Sequence, residues 1–252
     1  MSATHFIALI SAGSFAGFVD AIVGGGGLIA IPALLLTGLP VHAALGTNKF
    51  AGTFGVLTST AVYWRQKLVR LRSWIWLAAL ALSGAILGTI TIILFAALAS
   101  DFLNILLPIL LLFALIMVVF RRLPKMPIGG KKINKFQYVI GGTAGFGLGF
   151  YDGFLGPGTG ALWLSLLTSI FKLDLLKATA IAKFMNFISN VAALSLFILS
   201  GSVHYFSGIV LTAGYVTGSF LGAKSAIVKG SKLIKPLFLV VCIALLLKWM
   251  MR

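Results

Sequence analysis

The sequence predicts an all-α polytopic membrane protein made of two inverted repeats, each a glycine-broken helical hairpin plus three transmembrane helices, with eight to ten membrane segments in all. Three observations lead there. First, 60% of the 252 residues are hydrophobic and only 10% are charged, too little polar surface for a soluble globule of this size. Second, the apolar runs are long and lack the alternation of barrel strands, so they read as helices. Third, Phe18-Val19-Asp20-Ala21, followed by Gly24 and Gly26, returns 132 residues later as Phe150-Tyr151-Asp152-Gly153, followed by Gly156 and Gly158.

Taken in order, the apolar segments are 5–23, 27–38, 43–64, 73–97, 102–120, 136–154, 158–171, 176–199, 205–223 and 234–250. A single straight helix over 5–38 would run about 50 Å, well beyond a hydrocarbon core of about 30 Å. It has to break, and the run Gly24, Gly25, Gly26, Gly27 is the place. The stretch 136–171 breaks in the same way at Gly156-Pro157-Gly158, where proline stiffens the tip. Further along, Lys49 falls on Lys183 and the pair Gly84 and Gly88 on Gly218 and Gly222, now at an offset of 134. The repeats are therefore 1–120 and 136–252, joined by the basic loop 121–135 within one transmembrane domain.

Charge orients the two halves. The net charge is +16, yet 16 of the 20 Lys and Arg residues lie in the loops 65–72, 121–135, 172–177 and 224–235, whereas the turns 39–42, 98–101 and 200–204 carry none. This is the positive-inside pattern and not a nucleic-acid surface, so no nucleic-acid partner is expected and the basic loops are assigned to the cytoplasm beside anionic lipid. Residues 43–64 and 176–199 then run in opposite directions, and each broken segment must return to its starting side as a hairpin. The single cysteine, Cys242, carries no disulfide argument. The N-terminus lacks a basic region and a cleavage site, and no removable signal peptide is expected.

The candidate site lies at the breaks. A helix that starts at membrane depth presents free N–H groups and the positive end of its dipole, which suits an anion. Gly84, Gly88, Gly214, Gly218 and Gly222 instead have the spacing of close helix packing. Lys49 and Lys183 lie well inside spans, where a charge is costly and so a functional candidate. Each follows an aspartate, Asp20 or Asp152, by about 30 residues, so a Lys–Asp pair within each half is expected, and the aspartates are the candidates for proton coupling. Thr47, Asn48, Thr159 and Asn186 are placed to orient oxyanion oxygens, with Thr179 and Asn190 nearby. Trp64, Trp74, Trp76 and Tyr205 have the positions of interface anchors. Tyr151 and Trp163 lie deeper, in the core or along a pathway. His42 and His204 fall at outer turns. With four side-chain carboxylates, all Asp, no enzymatic site, metal or cofactor is expected.

These residues carry a resemblance. GFVDAIVGGGGLIAIPALLLTGLPVHAALGTNK, echoed by GFYDGFLGPGTGALW and ATAIAKFMNFISN, resembles the sulfite exporter TauE/SafE family of bacterial membrane transporters over essentially the whole chain. The resemblance implies transport of small sulfur-containing anions such as sulfite and organosulfonates, proton-linked, in the cytoplasmic (inner) membrane. One departure stands out: Thr47-Asn48-Lys49 faces Ile181-Ala182-Lys183 in the second half, so the site is chemically asymmetric. Two alternatives stay open on sequence: a cation or proton-coupled amine transporter using Asp20 and Asp152 as ligands, and a non-transporting membrane subunit that anchors or regulates a partner. Substrate, direction of flux and oligomeric state are not legible.

Overall fold

The computed structural model describes residues 3–68, 70–98 and 134–229. Eight α-helices follow one another: α1 (Ala3–Val23), α2 (Gly27–Leu35), α3 (Val41–Arg65), α4 (Ile75–Leu98), α5 (Lys135–Phe154), α6 (Thr159–Ser169), α7 (Leu175–Leu199) and α8 (Tyr205–Lys229), with a short 3-10 turn, Leu71–Trp74, before α4. No strand occurs among the described residues. Among the described residues, four helical stretches are long and apolar enough to cross a membrane: His5–Val23, Arg72–Ala96 (the 3-10 turn running into α4), Leu175–Leu199 and Tyr205–Lys229. The protein is thus a polytopic membrane protein. The segments 102–120 and 234–250, and the joint before residue 134, lie outside the described residues.

Both expected breaks are present. Gly24 takes φ +81° and Gly25 φ +124°, ending α1 before Gly27 starts α2. Gly156 (φ +88°) ends α5, and Gly158 (φ +81°) precedes α6. These are conformations that favour glycine, so the hairpin tips depend on it. Other left-handed residues recur at matching places: Gly38 with Lys172, and Lys67 with Gly201. At nine and eleven residues, α2 and α6 reach only about 14 to 17 Å, roughly half the hydrocarbon core. The tips therefore meet inside the bundle.

Packing fixes the directions. α3 and α7 run antiparallel, because Val41 and Leu45 at the start of α3 pack with Phe197 at the end of α7, while Tyr63 near the end of α3 packs with Ala180, Leu175 and Leu176 at the start of α7. The starts of α1 and α8 join the first end through Leu9 and Val210. The start of α5 belongs to the second end, where Gly141 faces Phe171 at the close of α6. Glycines let backbones touch along two seams: Gly214 and Gly218 of α8 against the Ile10 and Ser14 carbonyls of α1, and Gly84 and Gly88 of α4 against the Phe146 and Phe150 carbonyls of α5.

Side-chain caps occur at α5 and α7. Asn134 and Gln137 form a capping box at α5, and the Asp174 carboxylate accepts the Lys177 N–H at α7. Two expectations change. α8 continues to Lys229, beyond the expected end at 223, and Trp74 is buried edge-on against Phe171, 5.1 Å between ring centres. Trp74 is close enough to the end of α6 for Phe171 to shield it, so it is a core residue and not an interface anchor. Trp64 and Tyr205 are exposed. Trp163 is fully buried with Leu77 and Leu167, which places it in the core and not on a pathway.

Candidate substrate-binding site

The two broken tips and the middles of α3 and α7 enclose a polar cavity of about 30 Å³, room for two or three waters. Local geometry at each tip decides what faces it. At the first, the Asp20 carbonyl accepts the Gly24 N–H at 2.9 Å, and the reversal at Gly24 and Gly25 turns the next two N–H groups back onto the side chain. Gly25 and Gly26 both donate to Asp20 Oδ1, at 3.0 and 3.1 Å. The carboxylate caps the tip of α2, where the helix dipole favours it. The N–H groups expected to be open to a ligand at this tip are therefore partly taken.

The second tip is wired differently. Pro157 stands where the first tip has Gly25, and it has no N–H to give. Tyr151 accepts the Leu155 and Gly156 N–H groups through its carbonyl and donates its hydroxyl to the Pro157 carbonyl at 2.8 Å. The Thr159 hydroxyl closes onto the Gly156 carbonyl at 2.6 Å. Asp152 is left to side chains: Lys49 Nζ donates to Oδ1 at 2.8 Å, and the Ser189 hydroxyl donates to Oδ2.

The ion pairs cross between the halves. Lys49 of α3 holds Asp152 of α5, and Lys183 of α7 holds Asp20 of α1 at 3.0 Å. This corrects the expected pairing within each half. The tips abut at Gly24 and Gly160, where no Cβ would fit, and this brings each carboxylate within reach of the other half's lysine. All four groups are buried, Lys183 at 1% and Asp20, the least buried, at 6% exposure. Breaking one buried pair typically costs about 3–5 kcal/mol because it orphans a charge, whereas replacing the whole pair costs little.

Lys49 has a second acceptor, Asn190 Oδ1, at 2.8 Å. The cavity wall repeats along both central helices: Lys49, Gly52 and Val56 on α3 correspond to Lys183, Asn186 and Asn190 on α7, and all but Lys183 line the cavity. One wall is mostly apolar and the other polar. Asn48 and Asn186 are buried, with Oδ1 atoms that have no hydrogen-bond partner among the described residues. Two uncommitted amides on a polar cavity are suited to a bound oxyanion, since an amide presents its NH2 or its oxygen by turning over.

Of the other candidates, Gly25, Gly27, Gly156 and Gly158 line the cavity, while Gly24 packs on Gly160 and Gly26 on Tyr215. Thr47 lies elsewhere: its hydroxyl accepts the His204 N–H at 2.9 Å and ties α3 to the turn before α8. His42 and His204 are exposed at that end. Sequence reasoning missed Ser189 and the cavity-lining Tyr215. Asn190 follows Lys183 by seven residues, two turns along the helix, whereas Ser189, at six, lies off that face and carried no such signal. No group of three or more His, Cys, Asp or Glu suited to a metal occurs among the described residues.

The chain is similar over most of its length to proteins named as membrane transporters. A "Probable membrane transporter protein" of Haemophilus influenzae is 39% identical over 92% of this chain and 89% of its own length. The "Probable membrane transporter protein ORF9" of a Sinorhizobium species is 38% identical over 98% and 93%, and the "Probable membrane transporter protein YfcA" of Escherichia coli K12 is 35% identical over 90% and 82%. No solved structure matches the chain. The Sulfite exporter TauE/SafE profile matches residues 9–249, nearly the entire sequence, and the chain belongs to that family of membrane transporters.

Proposed function

We propose that the protein is a proton-coupled secondary transporter of a small oxyanion, sulfite or an organosulfonate, working by alternating access in the cytoplasmic membrane between two inverted repeats. The carrying observation is the pair of buried Lys–Asp bridges that join the two helix-break units across a cavity lined by both tips. Buried charges at membrane depth mark ion pathways, and broken helices at matching places in opposed units are the usual construction of transporter sites. The antiparallel course of α3 and α7 and the recurring left-handed residues support the inverted repeat.

Lys49, with Lys183, would attract the anion, and the Asn48 and Asn186 amides would orient its oxygens. A proton on a carboxylate would release its lysine to the anion, so that proton and anion bind together and the site stays neutral. Asp20 and Asp152 are poor ligands for a cation as they stand, because their oxygens already accept from Gly25, Gly26 and Lys183, and from Lys49 and Ser189. This favours the anion reading over a cation carrier.

The test is sulfite flux into proteoliposomes of the purified protein, with and without an imposed pH gradient. Flux is expected to exceed that of empty liposomes, to respond to the gradient and to fall at least tenfold in Lys49→Ala, a loss of about 1.4 kcal/mol or more of binding or transition-state stabilisation. Unchanged flux in both Lys49→Ala and Lys183→Ala would refute the assignment.

A further inference from the structure

We infer that the two aspartates divide the labour: Asp152 takes the coupling proton, with Ser189 and Asn190 as its positioning residues, while Asp20 stays ionised as a fixed structural carboxylate. The inference rests on the transport reading above and deepens it, assigning to one carboxylate what the repeat would assign equally to two.

The surroundings of each group carry the argument. Asp20 is met by donors alone. Gly25 N–H and Gly26 N–H reach Oδ1, and the Lys183 ammonium reaches Oδ2. None of these can turn round and accept, so a proton placed on Asp20 would face other protons and would break the cap of the first tip. Lys183 has no further hydrogen-bond acceptor among the described residues, so neutral Asp20 would also orphan a buried ammonium.

Asp152 has neither constraint. Its Oδ2 meets a hydroxyl, which both donates and accepts. With Asp152 ionised, Ser189 donates to it. With Asp152 protonated, the new O–H donates to Ser189 Oγ, and the Ser189 hydrogen turns to the Met185 carbonyl, 3.1 Å away. The proton comes from the aqueous side, adds to Oδ2 and leaves by the reverse path; no other bond is made or broken. Lys49 keeps the Asn190 oxygen at 2.8 Å when Asp152 is neutral, so its charge is held in place and becomes available to the anion.

The remaining titratable groups near Asp152 are few. α3 presents Lys49, α7 presents Lys183 with its Asp20 partner from α1 across the cavity, and α8 presents Tyr215. Tyr151 precedes Asp152 on α5 and is committed to Pro157. α4 presents Ala85 and Thr89 to Gly153, neither titratable. The origin of the asymmetry is visible in the chain: Pro157 removes one N–H that Gly25 supplies to Asp20, and Ser189 occupies the position that is Gly55 in the first half.

The chain has only four side-chain carboxylates, so infrared difference spectra of the protein in lipid vesicles, recorded between pH 8 and pH 5, can resolve a single buried carboxyl. A carboxylic C=O band is expected on acidification that vanishes in Asp152→Asn, persists in Asp20→Asn, and moves in frequency in Ser189→Ala, because the carboxylic O–H loses the Oγ that accepts it. Exchange of labelled sulfite across the same vesicles is expected to lose its pH dependence in Asp152→Asn, at a reduced rate. A band that vanishes in Asp20→Asn and survives in Asp152→Asn overturns the inference, as does a band whose frequency is unmoved in Ser189→Ala. Should Asp20→Asn fail to fold, Ser189→Ala decides, since its hydroxyl touches Asp152 and not Asp20. Absence of sulfite exchange in the wild type, with the band behaving as expected, would instead refute the anion assignment and leave the proton site standing.

Discussion

At the scale of single residues, the crossed ion pairs make a prediction that stability measurements can check. Removing one partner of a buried pair should cost about 3–5 kcal/mol, and removing the other should return much of it. Lys49→Ala with Asp152→Ala should therefore melt well above Lys49→Ala with Asp20→Ala, which breaks both pairs and leaves Asp152 and Lys183 without their partners. Thermal unfolding in detergent, followed by size exclusion, distinguishes the two; equal melting temperatures would refute the crossing. The four charged groups were legible in the sequence because charge inside an apolar span is conspicuous. Their pairing was not, because a separation of about 30 residues is the same whether a tip faces its own central helix or the other one. Thr47 misled for a related reason: its neighbours Asn48 and Lys49 face the cavity, yet a helix turns by about 100° per residue, and Thr47 points to His204 instead.

At the scale of elements, the tips were legible from length and glycine content together, since 34 apolar residues cannot be one span and the chain breaks where glycine allows. What the sequence did not contain is the abutment of the two tips, Gly24 on Gly160, which depends on how the two hairpins are set against each other. That abutment separates two glycines of similar backbone shape. Gly38 has φ +86° and nothing within 4 Å of where a Cβ would stand, whereas a Cβ on Gly24, at φ +81°, would run into the Gly160 backbone. Gly38→Ala should cost only the left-handed penalty, about 1–2 kcal/mol, and leave flux intact. Gly24→Ala should carry the same penalty and about 1–3 kcal/mol more for overpacking, and should disable transport by spreading the tips. Melting temperature and sulfite flux measured on both variants test this, and equal behaviour would mean that the tips do not need to touch. Close packing at Gly84, Gly88, Gly214, Gly218 and Gly222 was legible from glycines four residues apart, but their partners, α5 for the first two and α1 for the others, were not.

At the scale of the whole molecule, charge and direction are linked. Every Lys and Arg among the described residues, Lys49 and Lys183 apart, lies toward the end where α3, α6 and α8 finish and α4, α5 and α7 begin: Arg65, Lys67, Arg70, Arg72, Lys135, Lys172, Lys177, Lys224 and Lys229. His42 and His204 lie toward the opposite end. An anionic inner leaflet attracts such a basic rim by about 1 kcal/mol per residue near the surface, and short basic loops resist translocation during insertion. The two effects point the same way, so the basic end should face the cytoplasm. In a Cys242→Ser background, a cysteine replacing His42 should react with a membrane-impermeant maleimide in intact cells, and one replacing Lys67 only after permeabilisation. Both positions are exposed, so an unreactive cysteine reports its side of the membrane and not its burial. The reverse pattern would invert the molecule in the membrane, while leaving the crossed pairs and the cavity between them untouched.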